Sequence, residues 1–77
     1  MVTVYSLPNC VQCNATTRQM DKLGIEYRVE SASEHMENLK SRGYQTAPVV
    51  RFKSGDHEDW WSGFNPDKIR QLTAVLV

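Results

Sequence analysis

An α/β fold, with a small mixed sheet of four strands covered by three helices, follows from three features of the sequence. Strand-like and helix-like segments succeed one another in the order β-α-β-α-β-β-α. The first two strands are joined by a helix, and so are the second and third, and right-handed crossovers of this type give a small mixed sheet covered by helices. The chain has 77 residues, and one this short buries only about 60% of its unfolded surface, so 1–77 is expected to form a single domain around one core.

The elements follow in order. Val2-Thr3-Val4-Tyr5 is β-branched and aromatic and reads as the first strand, broken by Pro8 and Asn9. From Cys10 the period becomes helical, with Cys13, Thr16 or Thr17, Met20 and Leu23 on one stripe, Asn9 as the expected cap and Gly24 just past the end. Ile25 to Val29 is expected to be the second strand. Ser31-Ala32-Ser33-Glu34 has capping-box spacing, and Met36 and Leu39 give a short helical stripe ending near Gly43.

Val49-Val50-Arg51-Phe52 reads as a third strand, Lys53-Ser54-Gly55-Asp56 as a turn, and His57 to Trp61 as a fourth strand closing a hairpin. Asn65 suits the cap of the last helix, Pro66 its first position, and Asp67 its first turn, where negative charge favours the helix dipole. Ile69, Leu72 and either Val75 or Leu76 form its buried stripe. Tyr5, Met20, Leu23, Leu39, Val49, Ile69 and Leu72 are the expected core.

Composition excludes several function classes. Nine Lys or Arg balance nine Asp or Glu, which is not the basic footprint of a nucleic-acid binder. The longest apolar run, Ala74 to Val77, is far short of the roughly 20 residues of a membrane span. Met1-Val2-Thr3-Val4-Tyr5 lacks the basic start and apolar stretch of a signal peptide, so a soluble, cytoplasmic protein is expected.

The chemistry concentrates in the two cysteines, Cys10 and Cys13, which form a Cys-x-x-Cys. A disulfide across two intervening residues closes almost no loop, so it constrains the unfolded chain very little and makes a poor staple. At the start of a helix the pair has a better use. A thiolate attacks a disulfide, and a helix amino terminus stabilises it with unpaired N–H groups and the positive dipole end. Cys10 would lie exposed at the mouth of the helix, with Cys13 sheltered one turn inside and close enough to attack a mixed disulfide.

Other uses of such a pair fit the sequence less well. Free cysteines also pack as small hydrophobes. A zinc site would need His35 and His57, whose spacing matches no compact zinc pattern. A c-type haem attachment needs His directly after the second cysteine, where Asn14 stands. No metal site is expected.

The element order with Cys-x-x-Cys at the first strand-to-helix junction matches the thioredoxin-like fold. Pro8-Asn9-Cys10-Val11-Gln12-Cys13, Ala47-Pro48-Val49-Val50 and Trp61-Ser62-Gly63-Phe64-Asn65-Pro66-Asp67-Lys68-Ile69 resemble the NrdH-type redoxins, which are glutaredoxin-like in sequence and thioredoxin-like in activity. The resemblance runs from Val2 to Leu72. It implies a dithiol-disulfide oxidoreductase that reduces class Ib ribonucleotide reductase and is recharged by thioredoxin reductase. NADPH would be used only through that reductase, with no bound cofactor, and the protein would be a monomer. The resemblance also implies that Pro48 is cis and faces the cysteines, exposing the Ala47 backbone to a substrate strand. Val11, Gln12, Ala47, Pro48, Trp61, Ser62, Gly63 and Phe64 are then the residues expected to meet substrate or partner.

Two positions depart from the family pattern: Leu7 stands where Lys is common, and Asn65 where Arg is common. Losing the lysine removes a cation close to the thiolate and leaves more of its stabilisation to the helix terminus. Trp60 and Trp61 should point to opposite faces of their strand, Trp61 either packing in the core or meeting a partner. Two further functions compete with the redoxin reading: a glutathione-dependent glutaredoxin or glutathione-assisted [2Fe–2S] cluster module, and a non-catalytic interaction domain.

Overall fold

A computed structural model describes residues 1–44 and 47–76 of the chain, the last two for their backbone alone. Four strands, β1 (Val2–Ser6), β2 (Arg28–Ser31), β3 (Val49–Ser54) and β4 (His57–Ser62), and three helices, α1 (Val11–Lys22), α2 (Met36–Ser41) and α3 (Pro66–Leu76), follow in the expected order. The sheet runs β2-β1-β3-β4. β1 pairs in parallel with β2 and antiparallel with β3, and β3 pairs antiparallel with β4.

Alternation along the strands divides the core in two. Val2, Val4, Val50, Phe52 and Trp61 point to one face, where they pack with Met20 of α1 and with Ile69 and Leu72 of α3. Tyr5, Val49 and the half-buried Trp60 point to the other, with Leu39 of α2. The two tryptophans therefore do go to opposite faces.

The second strand begins later than Ile25. α1 closes with Gly24 at φ +72°, the Gly24 N–H donating to the Asp21 carbonyl (3.2 Å) and the Ile25 N–H to the Met20 carbonyl (2.9 Å). This is the Schellman pattern, in which the residue after the glycine packs back on the helix. Ile25 and Met20 duly share a core cluster. Ile25 is buried as a helix stop, and pairing starts only at Arg28 opposite Thr3.

Four smaller expectations are also corrected. Leu23, the last residue before that stop, is 36% exposed and not core. Asn9 is not the cap of α1: it takes φ +59°, a left-handed conformation asparagine tolerates, and Cys10 occupies the cap. Ser31 caps nothing, because its hydroxyl meets that of Ser33 (2.9 Å) and a 3-10 turn over Ser33–His35 leads into α2. Met36 is exposed at the start of α2, leaving Leu39 as its buried residue. The cap of α3 is as expected, Asn65 Oδ1 accepting from the Lys68 N–H at 3.2 Å. The side chains of Val75 and Leu76 lie outside the described residues.

Candidate active site around the Cys10–Cys13 pair

β1 ends at Ser6, and the chain turns through Pro8 and Asn9 to bring Cys10 to the start of α1. Cys10 keeps an extended backbone (φ −100°, ψ 110°), as a cap residue does. Its sulfur does the work a serine or aspartate oxygen does at other helix starts, accepting from the Cys13 N–H at 3.2 Å. The Cys10 carbonyl takes the first helical bond from the Asn14 N–H at 3.1 Å. No acidic residue stands in the first turn of α1. A charge on this sulfur therefore meets an N–H donor and the positive end of a twelve-residue helix.

The two sulfurs are joined in a disulfide, with Cα atoms 5.2 Å apart, so the pair stands in its oxidised form. Their surroundings differ. Cys10 is half-buried and opens to solvent, whereas Cys13 is 2% exposed beneath it.

Two loops converge on the pair. The Ala47–Pro48 peptide is cis, as the resemblance implies, and the Ala47 carbonyl oxygen lies 3.9 Å from Cys10 Sγ. In the disulfide that sulfur has no proton to donate, so the approach becomes a hydrogen bond only for the thiol. Pro48 is buried, and its carbonyl accepts from the Gly63 N–H at 2.8 Å, tying the turn between β4 and α3 to the turn before β3. Gly63 sits at φ +80°, where a side chain is strained. The Phe64 N–H donates to Gln12 Oε1 at 3.3 Å.

Nine of the ten residues expected at the site thus share one end of the sheet. Val11 is 82% exposed, Gln12, Ser62 and Phe64 are exposed, and Ala47 and Gly63 are half-buried. Trp61 is the exception. At 6% exposure it packs in the core between α1 and α3, so the partner contact considered for it has no surface to use.

The sequence did not reveal a shallow apolar groove of about 40 Å³ on the other side of Ala47, lined by Leu7, Met36, Tyr44 and Ala47. Replacement of lysine by Leu7 was its only signal in the sequence. A larger cavity of about 410 Å³ lies at the opposite end of β1, between Met1, Leu23, Ile25 and Thr73, and holds no thiol. The histidines stand apart from the cysteines, His35 edge-on to Tyr5 and His57 against Phe52.

Charge pairs brace the β3–β4 hairpin and its junction with α3. Arg51 binds Glu58 across it (3.0 Å) and holds that carboxyl below its usual range. Lys68 Nζ reaches Asp59 Oδ2 at 2.9 Å, pinning the start of α3 to β4. That bond lowers the Asp59 pKa against partial burial, which acts the other way.

Comparison with known proteins agrees with this geometry. The glutaredoxin family model matches residues 2–57. The glutaredoxin-like protein NrdH of Salmonella typhimurium is 39% identical over 74 residues, covering 92% of this chain and 86% of its own length. That of Lactococcus lactis is 32% identical over 76 residues, covering 94% and 99%. The structure of the glutaredoxin-like NrdH-redoxin from Escherichia coli, a protein with a thioredoxin-like activity profile, matches with TM-score 0.78 and 38% identity over 92% of both chains. Plasmodium falciparum thioredoxin matches at TM-score 0.67 over 99% of this chain and 84% of its own, and at 13% identity that shows the fold alone.

Proposed function

The chain belongs to the glutaredoxin family as an NrdH-like thiol-disulfide oxidoreductase, and from that premise we propose that it is an electron donor to class Ib ribonucleotide reductase, recharged by thioredoxin reductase. The observation that carries the division of labour is the asymmetry of the cysteines. Cys10 is open and receives the Cys13 N–H, whereas Cys13 is buried.

The reaction then runs in two exchanges. The Cys10 thiolate attacks one sulfur of the substrate disulfide, forming a mixed disulfide and releasing the other sulfur as a thiolate that takes up a proton. Cys13, having given up its proton, attacks Cys10 Sγ. The second substrate thiol departs and the Cys10–Cys13 disulfide forms. Two electrons pass to the substrate, and the reductase returns them from NADPH. The cysteine pair is itself the redox centre, so no cofactor or metal is bound.

The electron source is the point at which this reading separates from a glutathione-dependent one. Pro66 has no N–H to offer a ligand at the turn into α3, the Phe64 N–H is already engaged by Gln12, and Leu7 offers no cation to a carboxylate. Recharging by a protein needs only an accessible disulfide and a fitting surface. The protein is proposed to act in the cytoplasm as a monomer, apart from nucleic acid and membranes; none of the helices in the described residues is long and apolar enough to cross a bilayer.

The test is a coupled assay following NADPH oxidation. Thioredoxin reductase should sustain turnover, and millimolar glutathione with glutathione reductase should do so far more slowly. Equal rates from the two sources would overturn the proposed reductase. A purified protein with absorbance beyond the protein band would revive the cluster-binding alternative.

A further inference from the structure

Gln12 lies on the exposed side of α1, where a polar residue needs no explanation, yet its side chain is committed. Its Oε1 accepts from the Phe64 N–H, 52 residues away in sequence, and a Cβ placed on Gly63 would stand 3.4 Å from the same oxygen. The turn it meets is already tied on its other side by the Gly63 N–H to the Pro48 carbonyl. The base of the Gln12 side chain is also fixed, because the Gln12 carbonyl accepts both as part of α1 and from the Thr16 hydroxyl at 2.8 Å. The first turn of α1, the turn before β3 and the turn before α3 are thereby linked through Gln12 and Gly63.

We infer that Gln12 is a positioning residue of the exchange reaction: it pins Phe64 beside Val11, so that a protein disulfide meets one preformed apolar surface next to Cys10. The inference rests on the oxidoreductase reading and adds to it how a protein substrate is held. Val11 and Phe64 are exposed large apolar side chains, and Gln12 connects the backbone segments that carry them. A surface fixed before encounter spares the ordering cost that a loose turn would meet on binding.

The chemistry of the side chain fits this role. A carboxamide oxygen accepts the N–H while remaining neutral. A carboxylate would accept it equally well but would bring negative charge two residues from the attacking thiolate. Lysine and arginine have no acceptor to offer.

The experiment uses the full chain with thioredoxin reductase, NADPH and insulin as the protein disulfide. Gln12→Met keeps the length of the side chain and removes the acceptor. It should raise KM for insulin about three- to tenfold, the worth of one hydrogen bond, with a much smaller change in kcat. The Phe64 amide should exchange with solvent faster in this variant than in the wild type. Gln12→Glu should restore KM and the protection of Phe64, while moving the pH profile of Cys10 alkylation to higher pH. An unaltered KM in Gln12→Met, or a KM in Gln12→Glu as high as in Gln12→Met, would overturn the role of Gln12. Failure of the wild type to turn over insulin with thioredoxin reductase would instead overturn the proposed reductase, and failure with dithiothreitol as the electron source as well would overturn the oxidoreductase reading itself.

Discussion

At the scale of single residues, the site depends on the cap sulfur more than on any charged neighbour. Leu7 contributes no cation, so the thiolate of Cys10 relies on the Cys13 N–H and the dipole of α1. Restoring charge with Leu7→Lys should speed alkylation of reduced Cys10 at neutral pH, measured by mass spectrometry of iodoacetamide adducts over time. The gain should shrink as salt rises, because the added charge is exposed. An unchanged rate would show that position 7 does not sense the sulfur. The cysteine pair and its place at the start of α1 were legible in the sequence because motif, strand end and helix start are adjacent in the chain. The Gln12–Phe64 bond was not, since a hydrogen bond across 52 residues leaves no local pattern. Trp61 was ambiguous for a related reason: alternation separates it from Trp60 but does not say which face is covered, and only the packing of α1 and α3 decides.

At the scale of elements, the turn from β4 into α3 holds the site together, and its parts have separable costs. Gly63 takes φ +80°, so Gly63→Ala should lower stability by about 1–2 kcal/mol in chemical denaturation and loosen the bond to Pro48. Asn65→Ala removes the acceptor of the Lys68 N–H and should cost about 0.5–2 kcal/mol, whereas Asn65→Asp should retain the cap. The Asp59–Lys68 pair gives a pH dependence of known sign. The folded-state pKa of Asp59 is depressed, so its contribution is present above the unfolded value near 3.9 and is lost as pH falls through the lower folded value. Both side chains are about a third exposed, which limits the pair to about 0.2–1 kcal/mol. Lys68→Met should therefore destabilise the protein at neutral pH and flatten its loss of stability below about pH 4. A variant with the same acid profile as the wild type would refute this. Element existence and order were legible throughout, because period and caps are local signals. The start of β2 was misplaced because Ile25 looks like a strand residue and is buried as the hydrophobic contact of a Schellman stop.

At the scale of the whole molecule, a sheet with α1 and α3 on one face and α2 on the other brings three distant loops to one end of β1 and β3. The core on the α1–α3 face is what keeps them there. Trp61→Ala should cost about 3–5 kcal/mol and reduce activity through unfolding, visible as a lowered Tm, not through a selective rise in KM. A selective rise in KM with an unchanged Tm would return Trp61 to the partner surface. The central claim is that Cys10 attacks and Cys13 resolves, and trapping tests it most directly. Reduced Cys13→Ser, mixed with a protein disulfide substrate, should accumulate a stable mixed disulfide through Cys10, seen as a band of summed mass that a reductant removes. Reduced Cys10→Ser should form none. A Cys10→Ser variant that traps substrate as readily as Cys13→Ser would contradict the assignment.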